Sequence, residues 1–289
     1  VKIKKAVILA AGFGTRMLPA TKAVPKELLP VVDTPGIQLV VEEIVAAGIT
    51  DIVMVTSAGK GALMDHFSPA PVLERFLAER NKRDLLEVVQ RTAHLATITT
   101  VEQAQPLGIG HAVLQAKSAI GNQPFAVALP DDIFDCQTPC LRQLIEVAGA
   151  QEGPVVALLR LPRAEVSKYG IVEATQMAPR VHRLTGMVEK PPLDKAPSDM
   201  AIMGRYVLPA EIFGILERVK PGHGGEIQLT DALVELSGRR NLYGYEFEGV
   251  RYDLGDRLGF LKAQIAYGLR NPELADKLRA YLSSIIPPK

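Results

Sequence analysis

Only two cysteines, Cys136 and Cys140, occur in 289 residues. That is too few for a disulfide framework, and the second pair that completes a structural zinc site is missing. Both read as reduced thiols near a helix start. No stretch approaches the roughly 18 apolar residues of a membrane-spanning helix. The apolar run from Ala6 to Ala11 is broken by Gly12, Gly14 and Arg16 where the core of a secretory signal would continue. A cytoplasmic protein without membrane contact is therefore expected. Charge of one sign is equally scarce, since 33 basic and 32 acidic residues leave a net +1 with no long block of either. A nucleic-acid partner is not expected from such a balance. The five histidines, His66, His94, His111, His182 and His223, show no metal-ligand spacing, so they receive structural roles rather than a zinc site or a catalytic base. No GxSxG or Cys–His signature marks a covalent nucleophile.

What remains is an ordinary folded chain, 47% hydrophobic and 22% charged, which excludes disordered, collagen-like and coiled-coil readings. Its elements alternate. Lys2 to Ala10 reads as a buried strand ending in a glycine loop. Ile37, Val40, Val41, Ile44 and Val45 repeat at helical spacing up to Gly48, and Asp51 to Thr56 is a second strand. Strands at Thr97 to Glu102, Phe125 to Leu129 and Val155 to Leu161 then alternate with helices at Gly110 to Ile120 and Cys140 to Ala148. This predicts an α/β fold, Rossmann-like, with a mixed, mainly parallel sheet flanked by helices.

Beyond Leu161 the texture changes. Gly170 to Ala174 and Val181 to Lys190 alternate like antiparallel strands, and a proline-rich loop, Pro191 to Pro197, separates them from a strand at Ala201 to Leu208. Helices are expected at Pro209 to Val219 and Leu229 to Leu236, one late strand at Tyr243 to Tyr252, and two terminal helices from Leu258 to Leu269 and Leu274 to Leu282. No repeat or clean linker divides the chain, so residues 1–289 read as one domain.

Gly12-Phe13-Gly14 follows the first strand, where small residues let backbone N–H groups approach a phosphate. It is not a dinucleotide fingerprint. Met17 stands at the third glycine position, and the second strand ends at Thr56-Ser57 rather than in an acid for a ribose. A nicotinamide dehydrogenase is thereby a distant reading. The GK[ST] of a P-loop is also absent. Arg16 and Lys26 place two cations in the same short, turn-rich segment, suited to a triphosphate and to its pyrophosphate leaving group; a solvated surface loop accounts for them as well.

The stretch ILAAGFGTRMLPATKAVPKELLP resembles the signature of the sugar-1-phosphate nucleotidylyltransferases. With eight fixed positions at usages of roughly 5 to 7% each, chance is a poor explanation. PKELLPVVDTPGIQLVVEE, EQAQPLGIGHA and GGEIQLTDAL are similar to the branch that joins UTP to glucose 1-phosphate, and the similarity runs over nearly the whole chain. It implies UDP-glucose and pyrophosphate as products, Mg²⁺ as cofactor and a homotetramer or homodimer. It also implies nucleotide contacts at Ala10, Ala11, Gly12, Gly14, Thr15, Gln103 and Gly108, the last two near the base. On this likeness the nucleotide-binding part spans about 1–135, an antiparallel sugar-binding insertion about 136–255, and C-terminal helices about 256–289.

Asp131 and Asp132 stand just beyond the strand Phe125 to Leu129, at the edge where open α/β sheets bind ligands. One should face the ligand, or both cap the next segment. The resemblance selects Asp131 as a metal acid. Asp253 is the second candidate, with Asp256 the better helix cap; that both acids meet one metal comes from the resemblance alone. Glu189-Lys190-Pro191 places an acceptor beside a cation, readable as an exposed ion pair. The likeness instead gives Glu189 the sugar hydroxyls and Lys190 the sugar phosphate, with Tyr169-Gly170 close to the hexose and Gly225-Glu226 shaping its pocket. Arg16, Lys26, Asp131, Lys190 and Asp253 thus form the expected catalytic set. Competing readings are a dTTP-dependent thymidylyltransferase, differing by one methyl group in the base, and a non-catalytic subunit that senses nucleotide sugars.

Overall fold

The computed structural model describes residues 2–285. In β1 (Lys5–Leu9), Ala6 and Ile8 enter one core while Val7 and Leu9 enter the other, so the strand is covered on both faces. A loop of short 3₁₀ turns follows, then the hairpin β2 (Pro30–Val31) and β3 (Thr34–Pro35), helix α1 (Gly36–Ala46) and β4 (Asp51–Thr56). Three helices, α2 (Ala62–His66), α3 (Pro71–Glu79) and α4 (Arg83–Ala93), precede β5 (Thr97–Glu102). Next come α5 (Ile109–Gln115), α6 (Lys117–Ile120), β6 (Phe125–Ala128), β7 (Asp132–Asp135), α7 (Cys140–Gln151) and β8 (Val155–Arg160). The remainder holds β9 (Gly170–Ala178), β10 (Val181–Glu189), β11 (Met200–Leu208), α8 (Glu211–Leu216), α9 (Leu229–Ser237), β12 (Tyr243–Glu246), β13 (Val250–Asp253), α10 (Arg257–Gly268) and α11 (Ala275–Ile285). Among the described residues no helix is long and apolar enough to cross a membrane.

The α/β architecture is centred on a nine-stranded sheet in the order β5-β4-β1-β6-β11-β8-β12-β10-β9. The sheet is mixed. Parallel pairing, expected to dominate, holds from β5 to β6 and again between β8 and β12, whereas β11 runs against both β6 and β8, and β10 against both β12 and β9. All nine residues of β11 are buried, and a strand apolar on both faces carries no mark of its direction. One core lies between the sheet and α1 and α7; the other lies beneath α5, α8 and α9.

The single strand expected at Tyr243 to Tyr252 is two. Gly249, at φ +145°, breaks it, and a Cβ there would sit 2.7 Å from the carbonyl oxygen of Asp135. β12 therefore stays in the main sheet while β13 leaves it to pair antiparallel with β7, setting Asp253 opposite Asp132. The helix expected over Gly110 to Ile120 is likewise two short ones, with Ala116 between them. Cys140 opens α7, and both thiols are free. Asp256 caps α10 by accepting from the Gly259 N–H at 2.9 Å.

Candidate active site

Parallel strands β1, β4, β5 and β6 deliver their carboxyl ends to one edge, where the loops after β1, β5 and β6 hold Gly12 to Lys26, Gln103 with Gly108, and Asp131; Gly170, Glu189, Lys190, Glu226 and Asp253 come from the later elements. The loop after β1 turns at Gly14, whose φ of +66° suits glycine. A Cβ there would stand 2.9 Å from Cβ of Lys26, so the glycine lets the lysine stem lie against the loop. Arg16 projects from the turn that Thr15 opens and is two-thirds exposed. Among the described residues the backbone N–H groups of Ala11, Gly12, Phe13 and Gly14 find no acceptor. Four free donors beside two cations make a cradle for an anion.

Lys26 Nζ lies 2.6 Å from Oδ2 of Asp131, and Arg16 Nη2 lies 3.7 Å from the same oxygen. Burial works to raise the Asp131 pKa, but Lys26 and then Arg16 outweigh it and hold the carboxyl below the usual carboxylate value. Burial likewise works to lower the Lys26 pKa, and Asp131 reverses that, leaving the ammonium above its ordinary value. Asp132 faces elsewhere. It is buried, accepts from Arg251 Nε at 2.7 Å and from the Gly204 N–H at 3.2 Å, and so belongs to the scaffold. Asp253 accepts from the Gly255 N–H at 2.9 Å and from Arg251 Nη2 at 3.2 Å, with the Tyr169 hydroxyl 3.4 Å away.

Beyond Tyr169 the site continues along α9. Glu189 Oε2 accepts from Thr230 Oγ1 at 2.6 Å, and a Cβ on Gly170 would approach both oxygens to 3.1 Å. Lys190 sits at φ +44°, an uncommon conformation for a residue with a side chain, fixed where its N–H donates to the Tyr169 carbonyl at 3.0 Å. Its ammonium lies 3.6 Å from Glu189 Oε1 and is 41% exposed, open to an incoming anion. At the far end Gln103 is buried, its amide donating to the Gly108 carbonyl at 3.2 Å and facing His111 Nδ1 at 2.9 Å. Gly108, at φ +100°, packs so tightly on the next segment that a Cβ would lie 2.7 Å from Cβ of Glu226. Glu226 itself accepts from Gln228 Nε2 at 3.1 Å, close to Gly225 at φ +76°.

The chain matches the family described as nucleotidyl transferase over residues 5–268. It belongs to the nucleotidyl transferase family. Within that family it is 46% identical to the UTP–glucose-1-phosphate uridylyltransferase of Bacillus subtilis (strain 168) over 285 residues, 99% of this chain and 98% of that protein. A UDP-glucose pyrophosphorylase solved with UDP-glucose is 39% identical at a TM-score of 0.87, covering 93% of this chain and 100% of that one. The UTP-bound UGPase from Acinetobacter baumannii is 39% identical at a TM-score of 0.91, covering 99% of this chain and 100% of that one.

A nucleotidyl transferase working with Mg²⁺ needs one or two carboxylates and leaves the remaining ligand positions to water and substrate phosphates. The donor set fits. A Cβ on Gly255 would stand 2.5 Å from Arg16 Nη2, 3.0 Å from Asp131 Oδ2 and 3.1 Å from Asp253 Oδ1, so the lack of a side chain here lets the guanidinium and both acids come together at one place. Among the described residues no cluster of three or more metal-ligating side chains occurs. The histidines His66, His94, His111 and His182 are each hydrogen-bonded to neighbouring groups, and the side chain of His223 lies outside the described residues.

Three groups escaped the sequence reading. Arg251 joins Asp132, Asp253 and the Tyr169 hydroxyl, stacks over the Tyr169 ring at 5.1 Å, and so fixes the second acid and the tyrosine together. Arg205, fully buried, forks onto Glu43 at 2.7 to 3.1 Å and donates to the carbonyls of Leu129 and Asp132, bracketing the turn that carries Asp131. Lys60 holds Glu27 and the glycine loop. Arg205 stands in an apolar strand and Glu43 on an apolar helix face; a charged residue at such a position is the one available signal, because it needs a partner.

Proposed function

We propose that this chain transfers the uridylyl group of UTP to glucose 1-phosphate, forming UDP-glucose and pyrophosphate. The convergence of Asp131 and Asp253 beside Gly255, against the two cations of the glycine loop, carries the reading. The likeness to the uridylyltransferases supports the choice of substrates. No general base is required, since a sugar phosphate with a second pKa of about 6 is already largely ionised. Catalysis is then alignment and charge stabilisation.

The backbone donors of the glycine loop take the triphosphate, with Ala10 to Thr15 along its path. Arg16 and Lys26 neutralise the charge that develops on the departing pyrophosphate. Asp131 and Asp253 hold Mg²⁺, which when bound supplies Lewis-acid stabilisation of the phosphoryl oxygens. Lys190 seats the sugar phosphate so that its oxygen meets the α-phosphorus in line. Glu189 accepts from hexose hydroxyls, Gly170 leaves room for the ring, and Glu226 closes the pocket. Gln103 and Gly108 border the base. Residues of about 1–135 form the Rossmann-like nucleotide part, about 136–255 the sugar part, antiparallel apart from the β8–β12 pair, and about 256–289 the C-terminal part. The exposed Leu258, Leu261, Ile265 and Tyr281 of those terminal helices suit contact with a second copy in a cytoplasmic homotetramer or homodimer.

The test is pyrophosphate release with Mg²⁺ and glucose 1-phosphate, offering UTP, dTTP, ATP, CTP and GTP in parallel and omitting each component in turn. Preference for UTP that depends on metal and sugar phosphate is expected. Preference for dTTP would overturn the base assignment alone. Binding of nucleotide without turnover would favour a sensing subunit, a reading that the presence of all four charged residues, Arg16, Lys26, Asp131 and Asp253, argues against.

A further inference from the structure

Lys60 follows β4 in a turn set by Gly59 at φ +83°. Its ammonium donates to the carbonyl oxygens of Ala10 and Gly12, both at 2.7 Å, and to the two carboxylate oxygens of Glu27 at 2.9 and 3.0 Å. The side chain is 9% exposed and that of Glu27 is fully buried. Burial lowers the Lys60 pKa against the pull of Glu27, but the geometry states the role without it.

A trans peptide holds each C=O opposite the N–H that follows it. With the carbonyls of Ala10 and Gly12 drawn to Lys60, the N–H groups of Ala11 and Phe13 are turned to the other side of the loop, and both are without an acceptor among the described residues. Glycine at position 12 leaves that peptide free to rotate. Without the ammonium its carbonyl could turn outward and present an oxygen where a phosphate requires a hydrogen. Lys60 also satisfies Glu27, whose buried carboxylate acts electrostatically on the adjacent Lys26. Removing Lys60 would leave the buried Glu27 carboxylate without its cation, one residue from Lys26.

We infer that Lys60 is a positioning residue for nucleotide binding: it aims the backbone donors of the glycine loop at the triphosphate and keeps Lys26 available to Asp131 and the leaving group. This rests on the nucleotidyl-transfer reading above. The test compares Lys60→Met, which deletes only the ammonium, with Lys60→Met/Glu27→Gln, which also removes the orphaned buried charge. UTP affinity is read by calorimetry, and KM for UTP and for glucose 1-phosphate by pyrophosphate release. Both variants should bind UTP about 10-fold or more weakly, with KM for UTP raised in step and KM for glucose 1-phosphate unchanged. The double variant should regain the melting temperature lost by the single one without regaining UTP affinity. If Lys60→Met fails to fold, the double variant carries the test. UTP affinity in the double variant equal to that of the parent would reduce Lys60 to a countercharge for Glu27, and equal rises in both KM values would make its role merely structural. A parent protein that releases no pyrophosphate with any triphosphate would instead remove the underlying reading.

Discussion

The two ends of the candidate site are built by different means. At the glycine loop the donors are backbone groups, and the cations that accompany them, Arg16 and Lys26, come from the same short segment. At the acid end nothing is local: β13 must leave the main sheet and pair with β7 before Asp253 can approach Asp131, and Arg251 bonds to Asp132 across 119 positions. Local construction tolerates small errors because neighbouring residues move together. Construction across a ladder does not, since a one-residue slip turns every side chain to the other face. The acid end therefore carries three buried supports, Arg205, Glu43 and Arg251, while the loop end relies on glycine and on the one buried pair of Lys60 and Glu27.

Breaking the support of the acid end should produce the largest effect. Arg205→Met leaves Glu43 buried and unpaired, and a loss of about 3–5 kcal/mol in unfolding free energy is expected from chemical denaturation. A loss no larger than that of a surface substitution would show that the pair does not hold the Asp131 turn. The next effect falls on chemistry rather than folding. Lys26→Ala or Arg16→Ala should lower kcat/KM by about 2.7 kcal/mol or more, with Lys26 the costlier because it stands 2.6 Å from Asp131 against 3.7 Å for Arg16. Unimpaired turnover by both would remove these side chains from the transition state.

Glycine substitutions sharpen the contrast. At Gly255 a Cβ would meet Arg16 Nη2 at 2.5 Å as well as both acids, so Gly255→Ala should raise the Mg²⁺ concentration needed for half-maximal turnover and cost about 10-fold or more in kcat. At Gly12 the first atoms met belong to the flexible end of Lys26, at 3.9 and 4.0 Å, so Gly12→Ala should leave the metal requirement unchanged. Equal metal profiles for the two variants would contradict the division of roles.

The smallest effect at neutral pH belongs to Cys136, beside the same buried pair, whose contribution is confined to alkaline solution. Burial, with Glu43 and Asp135 nearby, pushes the Cys136 thiol up to about 12 from its ordinary 9.0. Between those values the unfolded chain loses the proton that the folded chain keeps, so stability should fall as pH rises above 9.0. Cys136→Ala should flatten that slope and leave stability at neutral pH nearly unchanged. An unaltered slope, followed by alkaline denaturation, would show that the thiol does not contribute.

Much of this arrangement is legible in the sequence. Strand β1, the glycine loop and its cations follow one another in the chain, and Asp256 was readable as a cap because capping is a local event. The ribbon was not. Tyr243 to Tyr252 reads as one strand, and only the contact of Gly249 with Asp135 explains why it divides. Likewise nothing local separates Asp131 from Asp132; they differ in their partners, Lys26 for the one and Arg251 with the Gly204 N–H for the other. The direction of β11 was hidden for the same reason, since burial on both faces erases the alternation that would distinguish its neighbours.

Direct displacement is the central claim: the sugar phosphate attacks the α-phosphorus in line, with the acid end and the loop end acting on one transition state and no side chain becoming covalently attached. Turnover of UTP made chiral at the α-phosphorus by a single sulfur substitution tests it, with the configuration of the resulting UDP-glucose analogue read by phosphorus resonance. Inversion at phosphorus is the expected result. Retention would require two displacements through an enzyme-bound nucleotidyl group and would contradict the account.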